Sequence, residues 1–303
     1  MTLDIPDALQ PAGGTDPWNG WLAALPARAE ELLGEWALAV DGAPIAGRLS
    51  LVVPVRTEDG RAAVLKVGYP HDDAALEHLA LRYWGGTGAV ELLRADPHRF
   101  ALLLERAGPE DLTERWDLEA CEVVGELYGR IHVPAPPQFA TLPAQVLRWT
   151  EQLRTLPGGL PPRLVEQAIS LGTDLAADPA SVGTLIHTDL HYENVLAADR
   201  DPWLVIDPKP LSGDPHYEIA PMLTNRWDEV AGQVRAAVRR RFDTLVDVAG
   251  FAEDRARAWV IVRVVHSAAW ALADAARFGG GAGGPAASEW LTRCVAVAKA
   301  VQG

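Results

Sequence analysis

The chain has 303 residues, 49% hydrophobic and 22% charged, an ordinary globular composition with room for one large domain or two lobes. Aspartate and glutamate number 41 against 27 lysines and arginines, giving a formal net charge of −14. That balance argues against a nucleic-acid partner, whose binding rests on concentrated positive charge, and suits a small cationic partner better.

Only two cysteines occur, Cys121 and Cys294, with neither metal-type nor disulfide-framework spacing. The amino-terminal residues lack the basic and apolar stretches of a secretion signal. The longest apolar candidate, 259–276, is interrupted by Arg263, His266 and Asp274, so it reads as a buried helix and not a membrane span. A cytoplasmic, soluble protein is expected.

The first predicted element is a helix over 17–33, where alanine, leucine and glutamate dominate. Trp36–Val40, Leu49–Val55 and Ala62–Val67 are short apolar and β-branched runs that predict strands. Asp59-Gly60 joins the last two, and Asp-Gly is a strong hairpin-turn signal. A helix is predicted over 71–83 from Leu76, Leu79, Ala80 and Tyr83, then strands at 90–93 and 100–104 around the turn signal Asp96-Pro97. After Glu105 the pattern is helical. Cys121, Val124, Tyr128 and Ile131 share one helix face, which Pro134-Ala135-Pro136-Pro137 ends. Two helices, 143–156 and 162–177, open on prolines, which a first turn tolerates. Strand, turn and strand occupy 184–207. Helices are predicted over 227–248, 253–278 and 286–301, with 279–284 a glycine-rich connector. The triplet Arg239-Arg240-Arg241 is expected on a solvated face. A sheet-rich part followed by a helix-rich part predicts an α+β chain divided into 1–105 and 106–303.

Residues 187–194 read His-Thr-Asp-Leu-His-Tyr-Glu-Asn, and the run Val205-Ile206-Asp207 follows. This places a carboxylate (Asp189), an amide (Asn194) and a second carboxylate (Asp207) around one turn between short strands. Kinase-type phosphoryl transfer needs this inventory: a base for the acceptor hydroxyl and two oxygen ligands for Mg²⁺. Lys66, near the end of a predicted strand, has the reach to meet a nucleotide's phosphates, and Glu77 in the next helix is its best partner. Asp72 and Asp73 fall in a helix's first turn, where acidic residues are expected anyway. No GxGxxG is present. The loop 42–50 offers Gly42 and Gly47, and Ser50 reads either as a phosphate donor or as a polar residue starting a strand. His187 and His191 lack the His-Glu-x-x-His order of zinc proteases, so zinc is not expected; His187 is expected to brace the loop. Asp214 is expected to cap a helix and to brace the same loop.

Three segments together carry a resemblance: Ile186-His187-x-Asp189-x-His191-x-x-Asn194, Ile206-Asp207-Pro208-Lys209-Pro210, and Gly213-Asp214-Pro215-x-Tyr217-Glu218. They resemble the aminoglycoside phosphotransferase superfamily, most nearly the branch of streptomycin 6-kinases and hydroxyurea phosphotransferases, over residues 20–275. The resemblance implies a protein-kinase-like two-lobe fold, with a small antiparallel sheet and one inserted helix in the first lobe and a mostly helical second lobe. It implies nucleotide bound between the lobes. Asp189 becomes the catalytic base, Asn194 and Asp207 the Mg²⁺ ligands, and Lys66 with Glu77 the pair positioning the phosphates of ATP. Glu105 falls at the hinge expected to present backbone groups to adenine, and Glu218 anchors the catalytic loop. Thr188 stands where many members carry glycine, which predicts an ordinary backbone there and not a left-handed one.

The expected activity is ATP- and Mg²⁺-dependent transfer to a hydroxyl of an aminoglycoside such as streptomycin, in antibiotic resistance. The alternatives are a kinase for an amino sugar, hydroxyurea or another metabolite, and a nucleotide-binding pseudokinase. The intact set Lys66, Asp189, Asn194 and Asp207 disfavours the last. A dicationic acceptor calls for acidic and aromatic residues. Asn225, Trp227, Asp228, Glu229, Trp270 and Asp274 are the candidates, against the reading that the tryptophans are core and the acids simply start a helix.

Overall fold

The structure is a computed structural model that describes residues 3–9, 16–155, 158–230, 232–277 and 285–302. It divides into two compact units, Met1–Pro109 with Leu196–Lys209, and Glu110–Val195 with Pro210–Gly303.

The first unit opens on helix α1 (Asp16–Glu35). Strands β1 (Ala39–Val40), β2 (Ile45–Ala46), β3 (Ser50–Arg56) and β4 (Ala62–Gly68) follow, then α2 (Glu77–Trp84), β5 (Leu92–Asp96) and β6 (Ala101–Glu105). The strands form an antiparallel sheet in the order β1-β3-β4-β6-β5, with β2 also paired to β3. Leu51, Val53 and Val55 of β3 and Ala63, Leu65 and Val67 of β4 are fully buried and cluster with Leu25, Ala29 and Leu32 of α1. Because successive strand side chains alternate faces, Val64 and Lys66 lie on the face opposite that core. Gly60, at φ 85°, makes the β3–β4 turn as its Asp-Gly signal predicts.

Three local expectations fail here. Residues 36–38 finish the helical turn, with Ala37 at φ 51°, and Trp36 is a core side chain, so pairing begins only at Ala39. The helix expected from 71 starts at Glu77, after a separate 3₁₀ turn at Asp72–Ala74. The loop 42–50 contains the short strand β2.

The second unit contains α3 (Asp117–Ile131), β7 (Val133–Pro134), α4 (Leu142–Arg154), α5 (Pro162–Ala177) and β8 (Thr184–Ile186). The chain continues through the paired strands β9 (Val195–Ala197) and β10 (Trp203–Val205) to β11 (Leu211–Gly213). Helices α6 (Ala220–Thr224), α7 (Val234–Ala249), α8 (Glu253–Arg277) and α9 (Pro285–Val301) complete it. Strands β11, β8 and β7 form a second antiparallel sheet. Leu142 and Val146, Ile186, Tyr217, and Trp259 and Val262 make a core joining α4, β8 and α8.

Segment 196–209, although later in sequence, packs within the first unit. Gly108 N–H donates to Ala197 O at 2.7 Å, and Val205 N–H donates to Gly88 O at 2.9 Å. Arg200 adds bonds to the Gly86 and Ala89 carbonyls and to the Glu105 carboxylate.

The helix expected over 227–248 is two pieces, a 3₁₀ turn at Trp227–Val230 and then α7. Arg241 corrects the expectation of a solvated arginine face. It is fully buried, with Nε donating to Asp117 Oδ2 at 3.1 Å and Nη1 to Asn225 O at 2.9 Å. A cation is tolerated there because a carboxylate and a carbonyl replace its water. The 279–284 connector and the Asp274 side chain lie outside the described residues. Cys121 and Cys294 are free and buried. No helix among the described residues is long and apolar enough to cross a membrane.

Candidate active site

Lys66 sits in β4, the strand paired on both sides, opposite Val52 of β3 and Leu102 of β6. Its Nζ donates to Glu77 Oε1 at 2.7 Å and Oε2 at 2.8 Å, and pairs with the Asp207 carboxylate. Glu77 thus lies where the sequence expectation put it, facing Lys66. Burial alone would lower the lysine's pKa, but Glu77 and Asp207 outweigh it and hold the ammonium well above its ordinary range. Burial pushes the Glu77 carboxyl up, and Lys66 is the main group opposing that. The side chain of Asp207 is 43% exposed against 6% for Glu77, so Asp207 is the accessible member of the trio. Asp207 also adopts φ 56°, which a short acidic side chain tolerates.

In the second unit the loop after β8 carries Asp189 and Asn194. Asn194 Nδ2 donates to Asp189 O at 2.9 Å and lies 3.2 Å from His191 Nε2. With its NH₂ held on that side, the amide's orientation is set and its carbonyl oxygen is the acceptor end. Asn194 and Asp207 flank the β9–β10 pair in sequence, an amide oxygen and a carboxylate, the hard oxygen donors that suit Mg²⁺.

His187 is fully buried, and Asp189 N–H donates to its Nδ1 at 3.2 Å, which is the bracing role expected of it. Glu218 is fully buried too. Its Oε1 accepts the Thr188 N–H at 2.7 Å and its Oε2 lies 3.2 Å from His132 Nε2, so it anchors the loop as expected.

Thr188 corrects the sequence reading. Its φ is 65°, the left-handed conformation that the absence of glycine argued against. Such geometry costs a β-branched residue roughly 1–3 kcal/mol and persists where neighbours over-determine it. Here both backbone groups are taken: the N–H by Glu218, and the carbonyl by Arg263 Nη2 at 3.2 Å.

Asp214 meets the capping expectation, and two further bonds run to α8. It caps the 3₁₀ helix Pro215–Ile219 by accepting His216 N–H, and its buried carboxylate accepts Trp259 Nε1 at 2.6 Å and Arg255 Nε at 2.5 Å. Burial pushes its pKa up, but the bonds from His216 and Trp259 outweigh that and hold it below the ordinary 3.8. The depressed folded value means that this stability is present above the unfolded pKa and is lost as pH falls through the folded one. Asp214→Asn is therefore expected to destabilise by about 3 kcal/mol at pH 7, with the Tm gap to wild type narrowing as pH drops below about 4. Thermal unfolding across pH 3–7 checks both; a constant gap would contradict the assignment.

The remaining candidates fare unevenly. Ser50 is buried at the head of β3, and Gly47 N–H donates to its carbonyl at 2.8 Å. A Cβ at position 47 would stand 2.5 Å from the Ser50 hydroxyl, so the two residues pack closely across a tight turn. This favours the strand-start reading of Ser50. Glu105 N–H donates to Glu91 O at 2.9 Å, and its carboxylate holds Arg200. Of the backbone groups expected to face adenine at Glu105, the N–H is therefore taken by Glu91.

The cationic pocket expected around 225–229 is already supplied with arginines. Glu229 pairs with Arg226 at 2.6 Å, and the Arg293 guanidinium lies 5.3 Å from the Trp227 ring. Asn225 Nδ2 donates to Pro221 O at 2.9 Å. Asp228 is exposed. Trp270 carries Arg263 at 5.0 Å.

Sequence reasoning missed Arg263, His132 and Arg255 as supports of this unit. For Arg263 the signal was visible, a charge inside an otherwise apolar helix. His266, one turn on, is fully buried beside Trp149 and Trp270, and neither ring nitrogen has a hydrogen-bond partner. Burial, aided by Arg263, pushes its pKa down to about 3. The unfolded chain binds a proton near 6.5 that the folded chain refuses, so stability falls as pH drops from about 6.5 toward 3. His266→Phe should flatten that acid limb and leave neutral-pH Tm unchanged or higher, because an apolar ring removes two orphaned polar atoms. An acid limb identical to wild type would refute it.

Residues 35–275 match the family described as aminoglycoside/hydroxyurea antibiotic resistance kinase. A streptomycin 6-kinase of Streptomyces glaucescens is 40% identical over 270 residues, covering 84% of this chain and 86% of that one. A hydroxyurea phosphotransferase of Kitasatospora aureofaciens is 39% identical over 263 residues, covering 84% and 75%. Among solved structures, a thermostable mutant of aminoglycoside phosphotransferase APH(4)-Ia, in ternary complex with ADP and hygromycin B, matches with a TM-score of 0.62 at 19% identity. The match covers 90% of this chain and 98% of that chain, and it bears on fold alone. The expected protein-kinase-like α+β fold and the expected branch are both borne out. By this match and these identities, the chain belongs to the aminoglycoside/hydroxyurea antibiotic resistance kinase family.

Proposed function

We propose that this protein is an ATP- and Mg²⁺-dependent phosphotransferase that modifies a hydroxyl of a streptomycin-like aminoglycoside, acting in the cytoplasm as a resistance enzyme. The observation that carries the reading is the buried Lys66 ammonium, kept charged by Glu77 and an accessible Asp207 in a chain of this family. Such a lysine is a fixed positive charge for nucleotide phosphates, and its strand-helix pairing with a glutamate is the kinase arrangement. The ADP held by the APH(4)-Ia complex supports a nucleotide as co-substrate.

In this reading Asp189 accepts the proton of the acceptor hydroxyl and orients its oxygen toward the phosphoryl group. Lys66 offsets negative charge on the phosphates, and Glu77 keeps Lys66 aimed. Asn194 and Asp207 would hold Mg²⁺, which supplies charge neutralisation on the phosphates when bound. Glu218 and His187 keep the Asp189 loop in place. The excess of acidic residues supports a cationic acceptor, because a negative field concentrates cations near the surface. The free, buried thiols support a reducing compartment.

A second acceptor is kept in view because the hydroxyurea phosphotransferase relative is almost as similar as the streptomycin 6-kinase. A coupled ADP-release assay with streptomycin, hygromycin B, hydroxyurea and amino sugars separates the readings. Streptomycin-dependent turnover with the highest kcat/KM is expected. Turnover with hydroxyurea or an amino sugar alone would replace the acceptor, and no acceptor-dependent turnover would overturn the kinase assignment.

A further inference from the structure

We propose that Arg263 is a positioning residue for transfer: it holds the peptide joining Thr188 to Asp189 in its left-handed approach and so sets the direction of the Asp189 carboxylate. The inference rests on the reading of Asp189 as the base. It starts from an anomaly in α8, where Val262, Val264 and Val265 are buried and Arg263 stands among them. An arginine so placed needs partners, and these partners lead to the loop. Nη1 donates to Tyr217 Oη at 2.6 Å, and Nη2 donates to the Thr188 carbonyl at 3.2 Å.

The carbonyl that Arg263 holds belongs to the same peptide plane as the Asp189 N–H, which donates to His187 Nδ1 at 3.2 Å. One plane is therefore gripped on both edges, and its orientation fixes where the Asp189 side chain departs from the backbone. Glu218 holds the preceding peptide through the Thr188 N–H at 2.7 Å. Left to itself, a threonine at φ 65° would relax to an extended or right-handed conformation and turn Asp189 with it.

The guanidinium is held as well. It lies 5.0 Å from the ring centroids of both Tyr217 and Trp270. Tyr217 is buried edge-on against Trp259 at 5.4 Å, and Trp259 is bonded to Asp214. A planar fork fits this role: it stacks on rings and donates in two directions at once, which an ammonium on a flexible stem does not reproduce.

The test compares Arg263→Gln in two backgrounds, wild type and Thr188→Gly, since glycine takes positive φ without steric cost. With threonine at 188, kcat is expected to fall about 10- to 100-fold while the nucleotide KM stays within about twofold, the signature of a misaimed base. With glycine at 188 the same change should cost less than a third of that factor. Arg263→Lys should lose kcat nearly as far, which keeps the test alive if Arg263→Gln fails to fold. Hydrogen exchange over 186–192 is the second arm and needs no acceptor; Arg263→Gln should speed it several-fold. Equal losses in both backgrounds, full activity of Arg263→Lys, or a lowered Tm with unchanged kcat and exchange would each overturn the proposal. If the wild type phosphorylates no acceptor, the function reading fails, and the exchange arm still decides whether Arg263 holds the loop.

Discussion

Asp189→Ala is expected to lower kcat for acceptor phosphorylation roughly 10²- to 10⁴-fold while leaving nucleotide affinity within about twofold. A hydroxyl is a weak nucleophile, and a carboxylate at hydrogen-bond distance both points its lone pair and takes its proton as the bond forms. The alanine variant keeps two bonds that order this loop, both made by the Asp189 backbone: the N–H goes to His187 and the carbonyl accepts Asn194. The loss should therefore fall on the chemical step and leave folding intact. Asp189→Asn is the sharper variant, since the amide preserves shape and polarity and removes only the basic oxygen. Titration calorimetry with a non-hydrolysable nucleotide, alongside single-turnover transfer, separates binding from chemistry. A wild-type rate in either variant would remove Asp189 from the base role, and lost nucleotide binding would place it instead among the phosphate contacts.

How much of this could be read from the chain depends on how local each cause is. The β3–β4 hairpin was legible because its turn chemistry and its alternation of Leu51, Val53 and Val55 lie within a few residues. Lys66 and Glu77 were legible as a pair because strand and helix are adjacent in sequence, and the His-x-Asp pattern marked 187–194 from residue types alone. The failures are tertiary. Nothing near Arg241 announces that Asp117 and Asn225 will take its charge inside the fold. Thr188 was read by intrinsic preference, and preference lost to two hydrogen bonds contributed by Glu218 and Arg263, residues 30 and 75 positions away. The acceptor candidates at 227–229 were chosen for charge and ring type. The structure shows Arg226 and Arg293 already holding two of them, a pairing that composition cannot foresee.

Lys66→Met is expected to lower transfer at least roughly 100-fold and to destabilise the protein, and a second substitution should pull the two effects apart. The ammonium has two duties in the structure, offsetting the buried Glu77 carboxylate and pairing with the accessible Asp207. Methionine fills a similar volume and supplies no charge, so Glu77 is left buried without its cation, a defect that costs about 3–5 kcal/mol in comparable settings. Glu77 relieves part of that cost by taking up a proton, since burial already raises its pKa and the lysine that opposed the rise is gone. The sign follows: a carboxyl whose folded pKa exceeds the unfolded value binds more protons folded than unfolded, so the variant gains stability as pH falls toward that folded pKa. Wild type, where Lys66 opposes the rise, should show a smaller gain from this group over the same interval. Lys66→Met/Glu77→Gln removes the buried charge altogether and should recover most of the lost Tm while transfer stays down, because no cation remains for the phosphates. Thermal unfolding at pH 5 and 8 and the coupled assay read the two halves. Recovery of transfer in the double variant would mean that the lysine serves the fold and not the nucleotide.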